Sequence, residues 1–238
     1  NTPENLERLG EIINEFIAGL PISKEEILQV CVNVAERVNP FEGKAYNMFT
    51  FLENPLAEKL TELIQLPVCI ENDTRSMAFA EFIKGCCKGM KDVIFGNMCW
   101  GLGIGIIDGK LYYGKSGYSG EFGHMTAYNN NIICHCGKIG CIETEVSGRA
   151  LKRRLTENIM AGKPSILSDK VLNRKEELSL QDIMDAIAKE DVLSLATLQH
   201  IADELGKQLA GIINIFNPEM LVIGGEMSVT GDYLTLPV

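Results

Sequence analysis

The sequence predicts an α/β fold, and three observations carry that prediction. In the first third, runs dense in Val and Ile alternate with stretches of helical spacing, the pattern of layered strands and helices. A second group of short strands fills the middle, and from Ser147 the chain is mostly helical until a last apolar strand. The composition agrees: 46% hydrophobic and 23% charged residues over a length of 238 is that of an ordinary globular chain with room for a substantial core.

The elements follow in order. Residues 4–18 place Leu6, Leu9, Ile12, Ile13, Phe16 and Ile17 at spacings of three and four, one face of a helix. Ser23 with Glu26 is a capping-box pair that opens a short second helix. Residues 27–35 read as a buried strand, 40–43 as a turn, and a looser extended run follows. Residues 55–64 return to helical spacing with Pro55 in the first turn, 66–70 form a short strand, and 74–83 another helix. Three strands are then expected over 93–99, 102–107 and 110–113, the last two joined by an Asp108-Gly109 hairpin turn. A long helix covers Val192–Phe216, and residues 221–223 form the final strand before Gly224-Gly225. Gly85 and Gly89 mark a crossing between an N-terminal lobe, 1–88, and a C-terminal lobe, 89–238. The sequence opens with a helix and ends soon after a strand, so an α/β fold of this kind is expected to be truncated at both ends.

Composition also narrows the partners. A formal net charge of −10 does not attract nucleic-acid phosphates, so contact with DNA needs a separate basic module outside this sequence. No run of about 18 apolar residues is present to cross a membrane, and the polar first ten residues are not a signal peptide. Of eight cysteines, three cluster beside glycines and a histidine, while Cys31, Cys69, Cys86, Cys87 and Cys99 lie in or beside apolar stretches. That usage fits a reducing compartment, and the cytoplasm is the expected location.

The cluster reads Cys134-His135-Cys136-Gly137-Lys138-Ile139-Gly140-Cys141. Thiolates are soft anionic zinc ligands, and a structural zinc needs four tetrahedral donors. Gly137 and Gly140 let the backbone fold tightly enough to bring three sulfurs together. The fourth ligand is His124 or His135. His135 lies between two cysteines and is expected to point away from their shared site, whereas His124, ten residues upstream, is free to fold over. His124, Cys134, Cys136 and Cys141 are therefore the expected ligands of one structural zinc. With every position filled by protein, the ion braces a loop and does no chemistry.

With that block in view the chain resembles the ROK family (repressors, open reading frames and sugar kinases) over nearly its whole length. Four pieces carry the resemblance: Glu71-Asn72-Asp73-Thr74-Arg75, Gly101-Leu102-Gly103-Ile104-Gly105, the stretch 120–141 with Glu143 behind it, and Val222-Ile223-Gly224-Gly225. The family implies a two-lobed actin-like (ribonuclease-H-like) fold with a sugar in the cleft between lobes, and a homodimer or higher homo-oligomer. Asn72 and Asp73 follow a strand, where open sheets place ligand groups. In ROK kinases the matching aspartate is the base that takes the proton of the attacking sugar hydroxyl. Glu121, His124 and Glu143 match the other sugar-binding residues, with His124 bound to zinc through one ring nitrogen and facing the sugar with the other. Asn47 is a looser match to a further sugar-contacting asparagine.

The nucleotide side of the resemblance is weaker. Gly101, Gly103, Gly224 and Gly225 match glycines that approach nucleotide phosphates in the kinases, but those kinases usually carry Gly-Thr-Gly where this chain has Gly101-Leu102-Gly103. Leucine offers no hydrogen bond, and Trp100 before it is bulky. Ala35-Glu36 stands where the family has Pro-Gly, putting a charged side chain in place of a close backbone approach to the sugar. The sequence contains no Asp-x-Gly-x-Thr phosphate motif, which the family places near its N-terminus. Two functions are compatible with the shared sugar set. One is the sugar-sensing domain of a transcriptional regulator whose DNA-binding helix-turn-helix lies in an N-terminal module outside this sequence, binding a hexose or N-acetylated sugar. The other is an ATP- and magnesium-dependent hexokinase or glucokinase with Asp73 as general base. Leu102, Glu36, Trp100 and the stretch 36–40 favour the regulator.

Overall fold

The computed structural model describes residues 2–238. Its first layer contains α1 (Pro3–Ala18), β1 (Val30–Val34), the two-residue arms β2 (Val38–Asn39) and β3 (Lys44–Ala45), α2 (Leu56–Ile64) and β4 (Val68–Asn72). Thr2 caps α1 by accepting a hydrogen bond from Asn5 N, and Pro3 occupies its first turn. The predicted helical face is used: Leu6 and Ile17 are buried, with Leu9 and Ile13 packed beside them against a core that includes Leu60, Ile64 and Ile70. β1 and β4 pair in parallel from Val30–Val68 to Val34–Asn72.

Two expectations for this layer need correction. The strand expected over 27–35 is confined to Val30–Val34, and it alternates: Val30, Val32 and Val34 face the core, while Cys31 and Asn33 are exposed. The looser run after the 40–43 turn contributes only β3, which pairs back on β2 as a small hairpin. Its turn is organised by Asn39, whose side-chain oxygen accepts from the N–H groups of Phe41 and Glu42.

The next helix, α3 (Asp73–Ile83), starts directly from β4, with Asn72 as its cap. Beyond it lie β5 (Asp92–Met98), β6 (Leu102–Asp108), α4 (Gly148–Met160), α5 (Leu180–Ala188), α6 (Val192–Phe216), β7 (Met220–Gly224) and α7 (Asp232–Thr235). Three strands form one sheet in the order β6-β5-β7, antiparallel between β5 and β6 and parallel between β5 and β7. Its two faces are both covered. Ile94, Met98, Leu102 and Ile104 pack against Leu151 and Leu155 of α4, Ile183 of α5 and Leu198 and Ile201 of α6. Val93, Phe95 and Ile107 pack the other way, against Ala78 of α3.

α3 approaches β6 closely because Gly103 and Gly105, which face it, have no side chains to hold it off. A Cβ added at Gly103 would lie 2.6 Å from Thr74 Oγ1, and one at Gly105 would collide with Ala78 Cβ. The strand expected over 110–113 does not form. The Asp108-Gly109 turn is made, with Gly109 at φ +63, but the return arm contributes one bridge, Ile107–Leu111, and a bond from Tyr112 N to Ile106 O. No helix among the described residues is long and apolar enough to cross a membrane.

Candidate functional site

A cleft of about 490 Å³ opens where the end of β4, the start of β6 and the loops after β6 meet, and Asn72, Asp73, Glu121, His124 and Glu143 all line it. Asn72 and Asp73 are set by the start of α3. Asn72 Oδ1 accepts from Arg75 N at 3.0 Å, and its Nδ2 donates to Glu36 O and to Asp73 Oδ1, each at 3.0 Å. Asp73 Oδ1 also takes the N–H of Thr74 at 2.7 Å. One oxygen of Asp73 is thus committed to the helix start, which leaves a hydroxyl ligand the other.

Glu121 and His124 come from a single tight turn, Phe122–His124 with Glu121 as its cap. Glu121 Oε2 lies 3.8 Å from His124 Nε2 and 3.9 Å from Arg37 Nε. Burial pushes the Glu121 carboxyl above its ordinary value, against the pull of Arg37 and Arg75. Glu143, in the turn Ile142–Thr144, is 6% exposed. Its Oε1 takes His135 Nδ1 at 2.8 Å and Arg149 at 3.3 Å, and its Oε2 takes Leu102 N at 3.2 Å.

His135 is therefore a cleft residue that sequence reasoning missed. Its ring does not turn clear of the sulfurs as expected: Nδ1 lies 3.8 Å from Cys134 Sγ, although its shorter contact, 2.8 Å, is with Glu143 Oε1. Arg37 and Arg149 were missed as well, since only the fold carries Arg37 to Glu121. Arg149 had one signal, its place in the first turn of a helix beginning at Ser147. Glu36 lines the cleft, but its charge is already used: the two carboxylate oxygens accept the N–H groups of Asn47 at 2.7 Å and Met48 at 3.0 Å.

Behind the cleft, Arg75 ties three segments together. It is 3% exposed. It bonds Glu71 Oε1 at 2.7 Å, Gly117 O at 2.6 Å and Val38 O at 3.0 Å, while Tyr113 donates to Glu71 Oε2 at 2.9 Å. Two of those bonds hold β2 and the loop that leads to Glu121.

His124, Cys134, Cys136 and Cys141 bring their donor atoms within 4.8 Å of one another. Cys134 Sγ is 3.5 Å from His124 Nδ1, and Cys136 Sγ is 3.6 Å from Cys141 Sγ. A metal–sulfur bond of about 2.3 Å in a tetrahedron gives edges of roughly 3.8 Å, so the donor spacing suits one ion. Gly137 and Gly140 have φ of +86 and +73, the left-handed conformations that let the loop close. Burial pushes the Cys134 thiol up to about 12, so that it would lose its proton only to a bound cation. His124 is held below its usual value, first by burial, which keeps the ring neutral as a ligand must be. Nδ1 faces the sulfurs and Nε2 faces Glu121 in the cleft. A second set, His124, His135 and Glu143, also converges at the cleft end.

The four glycines divide. Gly101 and Gly103 line the cleft. Gly224 and Gly225 end β7, where added Cβ atoms would strike Phe95 and Met98, and their neighbour Glu226 reaches the cleft. Asn47 lines the opposite wall, on the loop that Glu36 holds.

Comparison with known proteins places this geometry. The family model described as ROK family matches residues 1–238. A glucokinase of Halalkalibacterium halodurans is 31% identical over 234 residues, covering 97% of this chain and 71% of that protein. The DNA-binding transcriptional dual regulator NagC of Escherichia coli K12 is 31% identical over 240 residues, covering 99% of this chain and 57% of its own length. Among solved structures, a ROK family transcriptional regulator described as a homolog of the E. coli MLC protein superposes with a TM-score of 0.82 at 32% identity, covering 98% of this chain and 58% of that one. The chain thus spans somewhat over half the length of the regulators it matches.

Proposed function

Because the chain belongs to the ROK family, whose members here include both a kinase and regulators, we propose that it is the sugar-binding domain of a transcriptional regulator that binds a hexose or N-acetylated sugar in the cleft. The observation that carries this reading is the occupancy of the Gly101–Gly103 turn. A phosphate cradle needs free N–H groups and no competing anion. Here the Leu102 N–H is spent on Glu143 Oε2 at 3.2 Å, so the turn already faces a carboxylate. Leu102 itself is 6% exposed and brings no hydroxyl.

The sugar set works without nucleotide. Asn72 and Asp73 offer an amide and a carboxylate from one side, while Glu121, His124 and Glu143 offer acceptors and a ring nitrogen from the other. Zinc is the ion we assign to His124, Cys134, Cys136 and Cys141. Bound there, it would fix the ring so that Nε2 points into the cleft. Contact with DNA is assigned to a helix-turn-helix module outside this chain, and the assembly to a homodimer or higher oligomer.

The test is ATP turnover by the intact protein with magnesium, across hexoses and N-acetylhexosamines. No turnover, with one sugar raising the melting temperature, supports the sensor. Turnover at an enzymatic rate, above about 1 per second, would make the protein a kinase with Asp73 as base.

A further inference from the structure

Beside the cleft, on the far side of Trp100, lies a groove of about 640 Å³ formed by Trp100, Arg149, Lys152, Arg153, Thr156 and Glu157. Trp100 and Arg149 also line the cleft, so they are a wall common to the two cavities. Arg149 fastens that wall, with Nη1 donating to Trp100 O and to Glu143 Oε1, both at 3.3 Å. We propose that this groove is a second carbohydrate subsite, so that the protein takes a disaccharide or glycoside with its far ring stacked on Trp100. The proposal rests on reading the cleft as a sugar site.

The chemistry of the groove selects a neutral ring. An indole face matches the C–H face of a pyranose, and the guanidinium, hydroxyl and carboxylate groups around it suit its hydroxyls. The alternative occupant of a cationic groove is a phosphate or carboxylate, but each cation here already has an acid. Arg149 is 3.3 Å from Glu143, Lys152 is 2.6 Å from Glu177, and Arg153 is 2.9 Å from Glu145 and 3.4 Å from Glu157. Those charges cancel, and what remains is a set of fixed donors and acceptors around an aromatic plate. The cation over the plate is Lys152 Nζ, 5.8 Å from the ring centroid on a flexible stem that can swing aside.

The experiment is calorimetry on the intact protein with matched pairs: glucose with maltose and cellobiose, N-acetylglucosamine with diacetylchitobiose, and xylose with xylobiose. One disaccharide is expected to bind about tenfold more tightly than its monosaccharide, the return of one stacked ring. Thr156→Trp fills the groove and leaves the cleft alone, so it should erase that gain without changing monosaccharide affinity. Lys152→Ala, milder in its demands on folding, clears the indole face and should keep or raise the gain, whereas loss of the gain in that variant would overturn stacking on Trp100. A monosaccharide bound with no disaccharide gain, or a gain that survives in folded Thr156→Trp, overturns the subsite while leaving the sugar cleft standing. Binding of no sugar in the panel rejects the sugar reading of the cleft and the subsite with it.

Discussion

His135 sits between two cysteines of the metal loop and yet serves the cleft, through a 2.8 Å bond to Glu143 Oε1. His135→Ala is expected to weaken sugar binding about fivefold, the cost of releasing one hydrogen-bonded carboxylate. His135→Asn, which keeps a donor near the Nδ1 position, should recover part of the loss. Calorimetry with a metal assay checks both, since metal content should stay unchanged. Arg75 has the opposite character: its guanidinium bonds no ligand group, but three segments hang on it. Removing it empties a buried site and leaves the partly buried Glu71 with no cation and the Gly117 and Val38 carbonyls without their donor, so Arg75→Ala should cost about 3 kcal/mol, seen as a melting temperature lower by roughly 6–12 °C. This contact was legible in principle, because Glu71 and Arg75 stand four apart across a strand–helix junction. The cluster that could hold a metal was legible for a similar reason, three of its members lying within eight residues. Arg37 beside Glu121 was not, since nothing local links residues 84 positions apart.

On the function proposed above, the cleft depends on the loop of His124, Cys134, Cys136 and Cys141, whose donor atoms converge within 4.8 Å. Cys136→Ser removes one of two sulfurs held 3.6 Å apart. It should lower the bound zinc and weaken sugar binding by about tenfold, because His124 loses its anchor. Unchanged affinity in a demonstrably metal-free variant would show loop and cleft to be independent. Away from the site, the start of α5 gives a pH test. Lys170 and the Ser179 cap pull Asp182 down to about 2 from its ordinary 3.8. A lowered folded value means stability that is present above 3.8 and lost as pH falls toward 2. Asp182→Asn should therefore cost on the order of 1 kcal/mol at neutral pH, and urea titrations should show the gap closing near pH 2. Elements with helical periodicity were read well from sequence, α1 and α6 above all. The strands were read less well: residues 110–113 look apolar enough to pair, but a single bridge is all the turn at Gly109 delivers. Residues 27–29 failed as strand for want of a partner, since pairing with β4 begins at Val30.

Across the whole molecule, the ligand groups come from two bodies of packing. Asn72 ends a strand whose core is built from α1 and α2, whereas Glu121, His124 and Glu143 follow β6. Alternation along the chain predicted the layers. It could not predict that α3 would pack on β6 as well as follow β4, because that contact depends on side chains that are missing. A sugar held by groups on both sides should draw them together, rotating the α1–β4 layer about the Asn72–Asp73 junction. Small-angle scattering of the intact protein should then show a more compact particle with saturating sugar, and identical profiles with and without it would exclude the rotation. In the dimeric regulator proposed above, such a change would alter the spacing of two DNA-binding heads.

The missing side chains of β6 have a consequence for how the gene can drift. Any replacement at position 105 drives a methyl into Ala78, and any at 103 meets Thr74, whatever ligand the cleft serves. Selection for a folded product alone is enough to purge those changes. A lineage that abandoned nucleotide chemistry would thus keep these two glycines as faithfully as one that practised it. Inheritance of the run records ancestry of the scaffold, and the history of the activity has to be sought at the neighbouring position, Leu102, where the identity of the side chain, and not its absence, is what differs.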